Sequence, residues 1–324
     1  MAGTADELPT ADVVVCTYTD QRWDLLVRAV ASLRSQTVAP RSVLLCVDHN
    51  PELHERCVRE WADDGRQPPV QVFANRYPGR LGSARNTAVE RVTSGVVAFL
   101  DDDAEADPTW LETLLRVYAE DPRAVAVGGA PLPRHVVARP DWFPHEFDWV
   151  FGCHYAGLPD VRQPTRHLIG ANMSARSAAL RAVGGFHSDK HDDMDLSHRI
   201  AAAHGVAAVV YEPEAVVYHH VHPERLTWSY FWRRCYTINR GKVRAFDDMG
   251  AAGNIRAELE FAGRMAGTVA RRLRRGVTGD LASVRQAATI VAGLATAGVG
   301  HLRGRLDLRT GRLPESLTVG LAAR

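Results

Sequence analysis

At 324 residues the chain has room for one large domain or a domain with a sizeable appendage. Its 46% hydrophobic and 24% charged composition excludes a disordered chain, and a formal charge of +1 excludes a general attraction for nucleic acid. Basicity is local: residues 256–324 hold twelve Arg against five acids, so the first 255 residues are net acidic and two functional surfaces are expected. The five cysteines form no C-x-x-C pair and two fall in predicted buried strands, which fits a reduced, cytoplasmic setting. The N-terminal "MAGTADELPTADVVV" lacks a basic n-region and a long apolar stretch, so no signal peptide is expected.

In chain order, "ADVVVCTY" predicts a strand over 11–18 and "DLLVRAVASLRSQ" a helix over 24–36. "SVLLCVD" predicts a strand over 42–48, "PELHERCVREWADD" a helix over 51–64 and "VQVFA" a strand over 70–74. Next come a helix over 83–94, a strand over 96–103 ending "LDDD", a helix over 108–121 and a strand over 124–130. Short apolar runs separated by amphipathic helices indicate an α/β, doubly wound, mostly parallel sheet with ligands at the carboxyl ends of its strands. Pro51 and Pro108 suit first helical positions, and Ser83 is expected to cap the helix carrying Arg85 and Asn86.

From Ala130 the chain runs into "PLPRHVVARPDWFPHEFDWVFG", a Pro- and aromatic-rich segment expected to shape a substrate site. Its Trp142, Phe143, Phe147 and Trp149, with Tyr155 just beyond, form either a platform for a sugar or an apolar acceptor, or core filler. After Gly241 the chain becomes Arg-rich and helical. A boundary near Phe246 separates a catalytic domain, 1–246, from a basic helical C-terminal extension, 247–324. Within the former, a nucleotide half covers about 10–130 and an acceptor half about 131–246.

The acids fall at strand ends. Asp48 closes the second strand and Asp101, Asp102 and Asp103 the fourth, along one sheet edge. Such carboxylates repel one another unless a divalent cation sits among them, and hard oxygen ligands select Mg²⁺ or Mn²⁺ shared with a diphosphate. The same triplet could instead cap the helix starting at Pro108. No G-x-x-x-x-G-K-[ST] loop and no G-x-G-x-x-G follows the first strand, which argues against the common mononucleotide and dinucleotide sites.

"DVVVCTYT", "AVASLRSQT", "VLLCVDHN", "GRLGSARNTAVE", "VVAFLDDDAEADPTWLETLL", "GANMSARSAALRAVGGF" and "HDDMDLSHRI" together resemble the family 2 glycosyltransferases in order and spacing, over about residues 10–246. The resemblance implies a GT-A fold and an inverting, nucleotide-sugar-dependent, metal-assisted transfer. It places Thr17, Tyr18 and Asp48 around the nucleoside and Arg85 near the base or diphosphate. Asp101 falls near the ribose, Asp103 falls on the metal, and Asp102 shares either task. It implies that Asp193 is the catalytic base, that His219 is a third metal ligand alongside Asp103 and Asp101, and that Asn172 helps hold the sugar. Without it, Thr17 and Tyr18 are strand-end polar residues, Arg85 a helix-face cation and Asp192, Asp193 and Asp195 helix caps.

A base must reach the acceptor hydroxyl as it attacks the anomeric carbon, and the flanking acids Asp192 and Asp195 would raise the pKa of Asp193. His220 and His222 rival His219. In an extended segment at most two of the three can grip one ion and no cysteine is near, so a structural zinc site is not expected. Arg233 and Arg234 in "TWSYFWRRCY" either meet phosphate or remain solvated. The Arg-rich tail forms either helices lying on the cytoplasmic face of an anionic membrane or a hairpin packed on the domain. Its apolar window "AATIVAGLATAGVG" is shorter than the roughly 20 residues that span a bilayer.

The expected activity is transfer of a hexose-type sugar from a nucleoside diphosphate, UDP above others, to a hydroxyl of a lipid-linked glycan or small natural product. Two rival readings are a nucleotidyltransferase-like enzyme, which needs a Gly-rich, Lys-bearing loop that "CTYTDQRWD" lacks, and a silent sugar-nucleotide-binding module.

Overall fold

The structure, a computed structural model, describes residues 8–187, 191–247 and 252–312. Residues 1–7, where no leader is expected, and residues 313–324 of the extension lie outside the described residues.

The expected strand and helix alternation is present. It runs β1 (Ala11–Thr17), α1 (Trp23–Arg34), β2 (Ser42–Val47), α2 (Pro51–Trp61), β3 (Val70–Ala74), α3 (Leu81–Val89), β4 (Val96–Asp101), β5 (Ala104–Ala106), α4 (Trp110–Glu120) and β6 (Ala126–His135). There follow β7 (Gln163–Pro164), β8 (Asn172–Arg176), α5 (Ser177–Ala182), α6 (Asp192–His204), β9 (Val209–Val221), α7 (Trp228–Asp247), α8 (Ala252–Val277) and α9 (Leu281–Arg309). The sheet order is β3-β2-β1-β4-β8-β6-β9-β5, with β7 beside β9. The first four of these strands are parallel, and β8 enters antiparallel to β4 and β6. This is a mostly parallel α/β sheet, and parallel register aligns Cys16 with Cys46 and Asp101, which brings the ends of β1, β2 and β4 to one edge.

One helix start follows the local chemistry and two differ from it. Asn50 accepts a hydrogen bond from the Leu53 N–H at 3.0 Å and Pro51 opens α2, as its fixed φ favours. Ser83 is not a cap: α3 begins at Leu81, and the Ser83 hydroxyl donates to the Pro78 carbonyl instead. Helix α4 begins at Trp110, two residues after Pro108, because Asp107 accepts from the Thr109 N–H and hydroxyl and holds a tight turn there.

The described residues form two compact units, 8–132 with 159–219, and 133–158 with 220–312. The first buries an apolar layer on each sheet face, with Val13, Val15, Leu45 and Trp110 on one and Val14, Leu44, Phe99 and Met173 on the other. In the second, Phe143, Phe147 and Phe151 bury against Phe231, Cys235, Met265 and Ile290. The aromatic segment thus groups with the C-terminal helices, so these units are cut differently from the boundary expected near Phe246. Phe143 and Phe147 are core filler there, fully buried.

The small-residue window of α9 is a packing seam. A Cβ on Gly300 or Gly304 would stand 2.4 Å from the backbone oxygen of Tyr236 or Arg240, so only glycine lets α9 lie this close to α7. Among the described residues no helix is long and apolar enough to cross a membrane.

Candidate active site

The acid triplet straddles the turn from β4 to β5. Asp101 ends β4, and β5 pairs with β9 so that Ala104 faces His219. This register sets Asp101, Asp103 and His219 together, with one ligand atom from each lying within 4.8 Å of the others. One oxygen of Asp103 lies 3.1 Å from His219 Nε2, and its other oxygen lies 3.1 Å from Arg22 Nη1. Asp102 faces different partners: the Thr17 hydroxyl donates to it at 2.7 Å and Arg22 Nη1 at 3.0 Å. Burial, and then the neighbouring Asp103 charge, push the Asp102 carboxyl up to about 6.

The second acid cluster opens α6. His191 adopts φ 57° and turns the chain, so that Asp192, Asp193 and Asp195 fall in the first helical turn, where the helix dipole favours negative charge. Asp193 Oδ2 accepts from the Gly170 N–H at 2.9 Å and its Oδ1 from the Met194 N–H at 2.8 Å. Burial raises its pKa above the ordinary carboxylate value, and these two N–H groups offset part of that rise. A Cβ on Gly170 would stand 3.3 Å from Asp193 Oδ2 and 3.5 Å from Arg85 Nη1, so a side chain there would press on both groups.

Arg85 joins the clusters. Its Nη1 donates to Asp192 at 2.6 Å, and its Nη2 donates to Asp101 at 3.2 Å and to the Gly170 carbonyl at 2.9 Å. Burial opposes its charge, yet Asp192 and then Asp101 hold its pKa above the ordinary arginine value. Burial likewise raises Asp192 and Asp101, and Arg85 offsets part of each rise. Five carboxylates here face two guanidiniums, Arg22 and Arg85. That surplus of negative charge, with two carboxylates and an imidazole converging, fits a divalent cation. Among the described residues it is the one such group of three ligands.

The family model of glycosyl transferase family 2 matches residues 12–184. The glucosyl-dolichyl phosphate glucuronosyltransferase of Haloferax volcanii is 31% identical over 304 residues, 91% of this chain and 96% of that protein. The chain belongs to glycosyl transferase family 2. Among solved structures it is similar to the mannosyltransferase PcManGT of Pyrobaculum calidifontis in complex with GDP-Man and Mn²⁺, with a TM-score of 0.62 and 20% identity, covering 93% of this chain and 89% of that one. It is also similar to GalNAc-T7 with UDP, GalNAc and Mn²⁺, with a TM-score of 0.51 and 18% identity, covering 67% of this chain and 44% of that one.

In this glycosyltransferase the residues expected at the site divide by what they touch. Asp101, Asp103 and His219 converge, and Asp193 stands across Arg85 from them. Tyr18 is 57% exposed at the end of β1, and Asp48 accepts from Asn75 Nδ2 at 2.7 Å. Thr17 and Asp102 instead bond each other inside the protein. Arg85 is a buried strut whose guanidinium is held by protein acceptors, not a solvent-facing cation. Asn172 departs most from its expected sugar contact: fully buried, it accepts from Trp110 Nε1 and donates to the Ala215 carbonyl, both at 2.8 Å. Both ends of its amide brace the sheet. Arg234 donates to the Val150 carbonyl, within the second unit.

One residue at the site has no counterpart in the sequence reading. Arg22, in the short turn between β1 and α1, is the cation lodged against Asp102 and Asp103. Its only sequence signal is a lone base between Asp20 and Asp24 in "TDQRWD".

Proposed function

We propose that this chain moves a hexose-type sugar from a nucleoside diphosphate, UDP above others, to a hydroxyl of a lipid-linked glycan, with inversion at the anomeric carbon. The observation that carries the reading is Arg85, which ties Asp101 of the donor side to Asp192, next to Asp193. Asp193 accepts the proton of the acceptor hydroxyl while that oxygen bonds to the anomeric carbon and the bond to the diphosphate oxygen breaks on the opposite face. A raised pKa makes Asp193 a stronger base once ionised, and the Gly170 N–H fixes its carboxylate. Mn²⁺ or Mg²⁺, held by Asp103, Asp101 and His219, would neutralise charge on the departing diphosphate. Tyr18 and Asp48 line the nucleoside side.

The lipid-linked acceptor draws on the relative spanned over 96% of its length, whose name specifies a dolichyl phosphate substrate. It also draws on the outward face of α9, where Leu281, Val291, Val299, Leu302 and Leu306 are exposed. Arg285, Arg303, Arg305 and Arg309 flank that stripe, and the helix's acid, Asp307, is buried. Arg285 pairs with Asp141 and Arg303 with Asp307, and exposed Arg305 and Arg309 beside the apolar stripe match an anionic bilayer surface, on the cytoplasmic side.

The test is transfer from labelled UDP-sugars to a polyprenyl-phosphate-linked sugar in the presence of Mn²⁺, with the anomeric configuration of the product read by NMR. Product of inverted configuration that disappears in chelator is expected. Retention of configuration, or full activity in chelator, overturns the mechanism.

A further inference from the structure

We propose that Arg22 is a resident counter-cation of the acid triplet: it weakens binding of a bare divalent ion and so couples the ion's arrival to that of the diphosphate. This rests on the cation site proposed above. A single nitrogen of Arg22, Nη1, lies 3.0 Å from Asp102 Oδ1 and 3.1 Å from Asp103 Oδ2. The other oxygen of Asp103 is held by His219 at 3.1 Å. Both oxygens of the central ligand therefore lie beside protein nitrogens, and an incoming cation has to share or displace these contacts.

A guanidinium is suited to such a post. It keeps its proton throughout the physiological range, and the one nitrogen Nη1 carries two N–H groups, one for each carboxylate. The Arg22 side chain is 22% exposed and those of Asp102 and Asp103 are 5% and 2% exposed, so solvent and salt screen the contact weakly. The Tyr18 ring stands 5.6 Å from the guanidinium carbon and helps fix its place. A positive charge seated this close to Asp103 disfavours a second, doubly charged cation arriving alone. The negative charge of a nucleoside diphosphate reverses that balance, because it offsets Arg22 and supplies oxygens in place of those already taken. Arg22 is thus a positioning residue that acts through Asp103 and the cation.

The experiment measures Mn²⁺ affinity by titration calorimetry, with and without UDP, for the wild type, Arg22→Gln, Arg22→Ala, Arg22→Lys and Asp103→Asn. Thermal melts confirm that each variant is folded, and Arg22→Gln, which keeps a hydrogen-bond donor, serves where Arg22→Ala does not fold. The glutamine and alanine variants are expected to bind bare Mn²⁺ at least tenfold more tightly than the wild type, with a smaller gain on adding UDP. Arg22→Lys is expected to restore wild-type values. A strut that only supports the fold would not tighten Mn²⁺ binding. If the Arg22 variants bind bare Mn²⁺ no more tightly than the wild type while Asp103→Asn abolishes binding, the role of Arg22 is overturned and the cation site stands. If no protein binds Mn²⁺ with or without UDP, the cation site itself is wrong and this inference falls with it.

Discussion

Arg85 and Asp192, 107 residues apart in sequence, are joined at 2.6 Å, and the same guanidinium reaches Asp101 and the Gly170 carbonyl. Arg85→Met would leave the buried Asp192 and the half-buried Asp101 without their cation, a loss of about 3–5 kcal/mol of stability. Arg85→Lys should recover less than half, since one ammonium nitrogen replaces the two guanidinium nitrogens that reach Asp192 on one side and Asp101 and the Gly170 carbonyl on the other. Urea denaturation with an unchanged m-value checks both. A variant within 1 kcal/mol of the wild type would show that Arg85 is not the strut between the clusters.

Much of this fold is legible in local pattern, because buried parallel strands must be apolar runs and their ends must carry the polar chemistry. The "LDDD" strand end marks Asp101 and Asp103 as metal candidates, whereas among His219, His220 and His222 it is the resemblance to family 2 glycosyltransferases, not the strand pattern, that selects His219. What was not legible depends on partners far away in sequence. Asn172 looks like a ligand residue until Trp110 and Ala215 are seen to occupy its amide, and Arg85 looks available until Asp192 is seen against it. The segment around Phe143 and Phe147 carries aromatics that suit a platform or a core. Only their burial against Phe231 and Ile290 decides for the core.

Asp193→Asn preserves shape and removes the basic oxygen. Donor affinity should stay within a factor of about two of the wild type, while turnover falls by about 10²- to 10⁴-fold. Because burial raises the Asp193 pKa, the acid limb of the wild-type rate profile should lie above the ordinary aspartate value. Calorimetry with UDP and steady-state rates across pH check the two halves. Normal turnover by the asparagine variant would remove Asp193 from the mechanism.

His198 in α6 gives the fold an acid-sensitive element. Burial, and then the positive charge of a protonated His167, lower its pKa from 6.5 to about 4. The folded state thus resists a proton that the unfolded chain accepts. The stabilisation is complete above pH 6.5 and is lost as pH falls toward 4. Allowing for solvent around a partly exposed ring, the loss is about 1–2 kcal/mol. His198→Leu should flatten this part of the stability profile, measured by melting temperature at steps between pH 7 and pH 4. Parallel slopes for variant and wild type would show that the acid sensitivity originates elsewhere.

The outward stripe of α9 is the feature on which the lipid-linked acceptor can be tested without any sugar. Leu302 is 69% exposed and Val299 is 58% exposed, while the opposite face is committed to α7 through Gly300 and Gly304. Each arginine near an anionic surface contributes about 1 kcal/mol, and the apolar stripe adds a part that salt does not screen. Sedimentation with phosphatidylglycerol vesicles should carry the protein down, with much less on phosphatidylcholine alone. Val299→Glu with Leu302→Glu should abolish the salt-resistant part. Arg305→Gln with Arg309→Gln, which spare the Arg303 pair with buried Asp307, should reduce the salt-sensitive part and leave the other intact, because charge and apolar burial are separate physical forces. A second copy of the chain is the competing occupant of this stripe. If light scattering shows a dimer that the glutamates dissociate, and vesicles fail to bind, the stripe is a protein interface and the membrane reading is overturned.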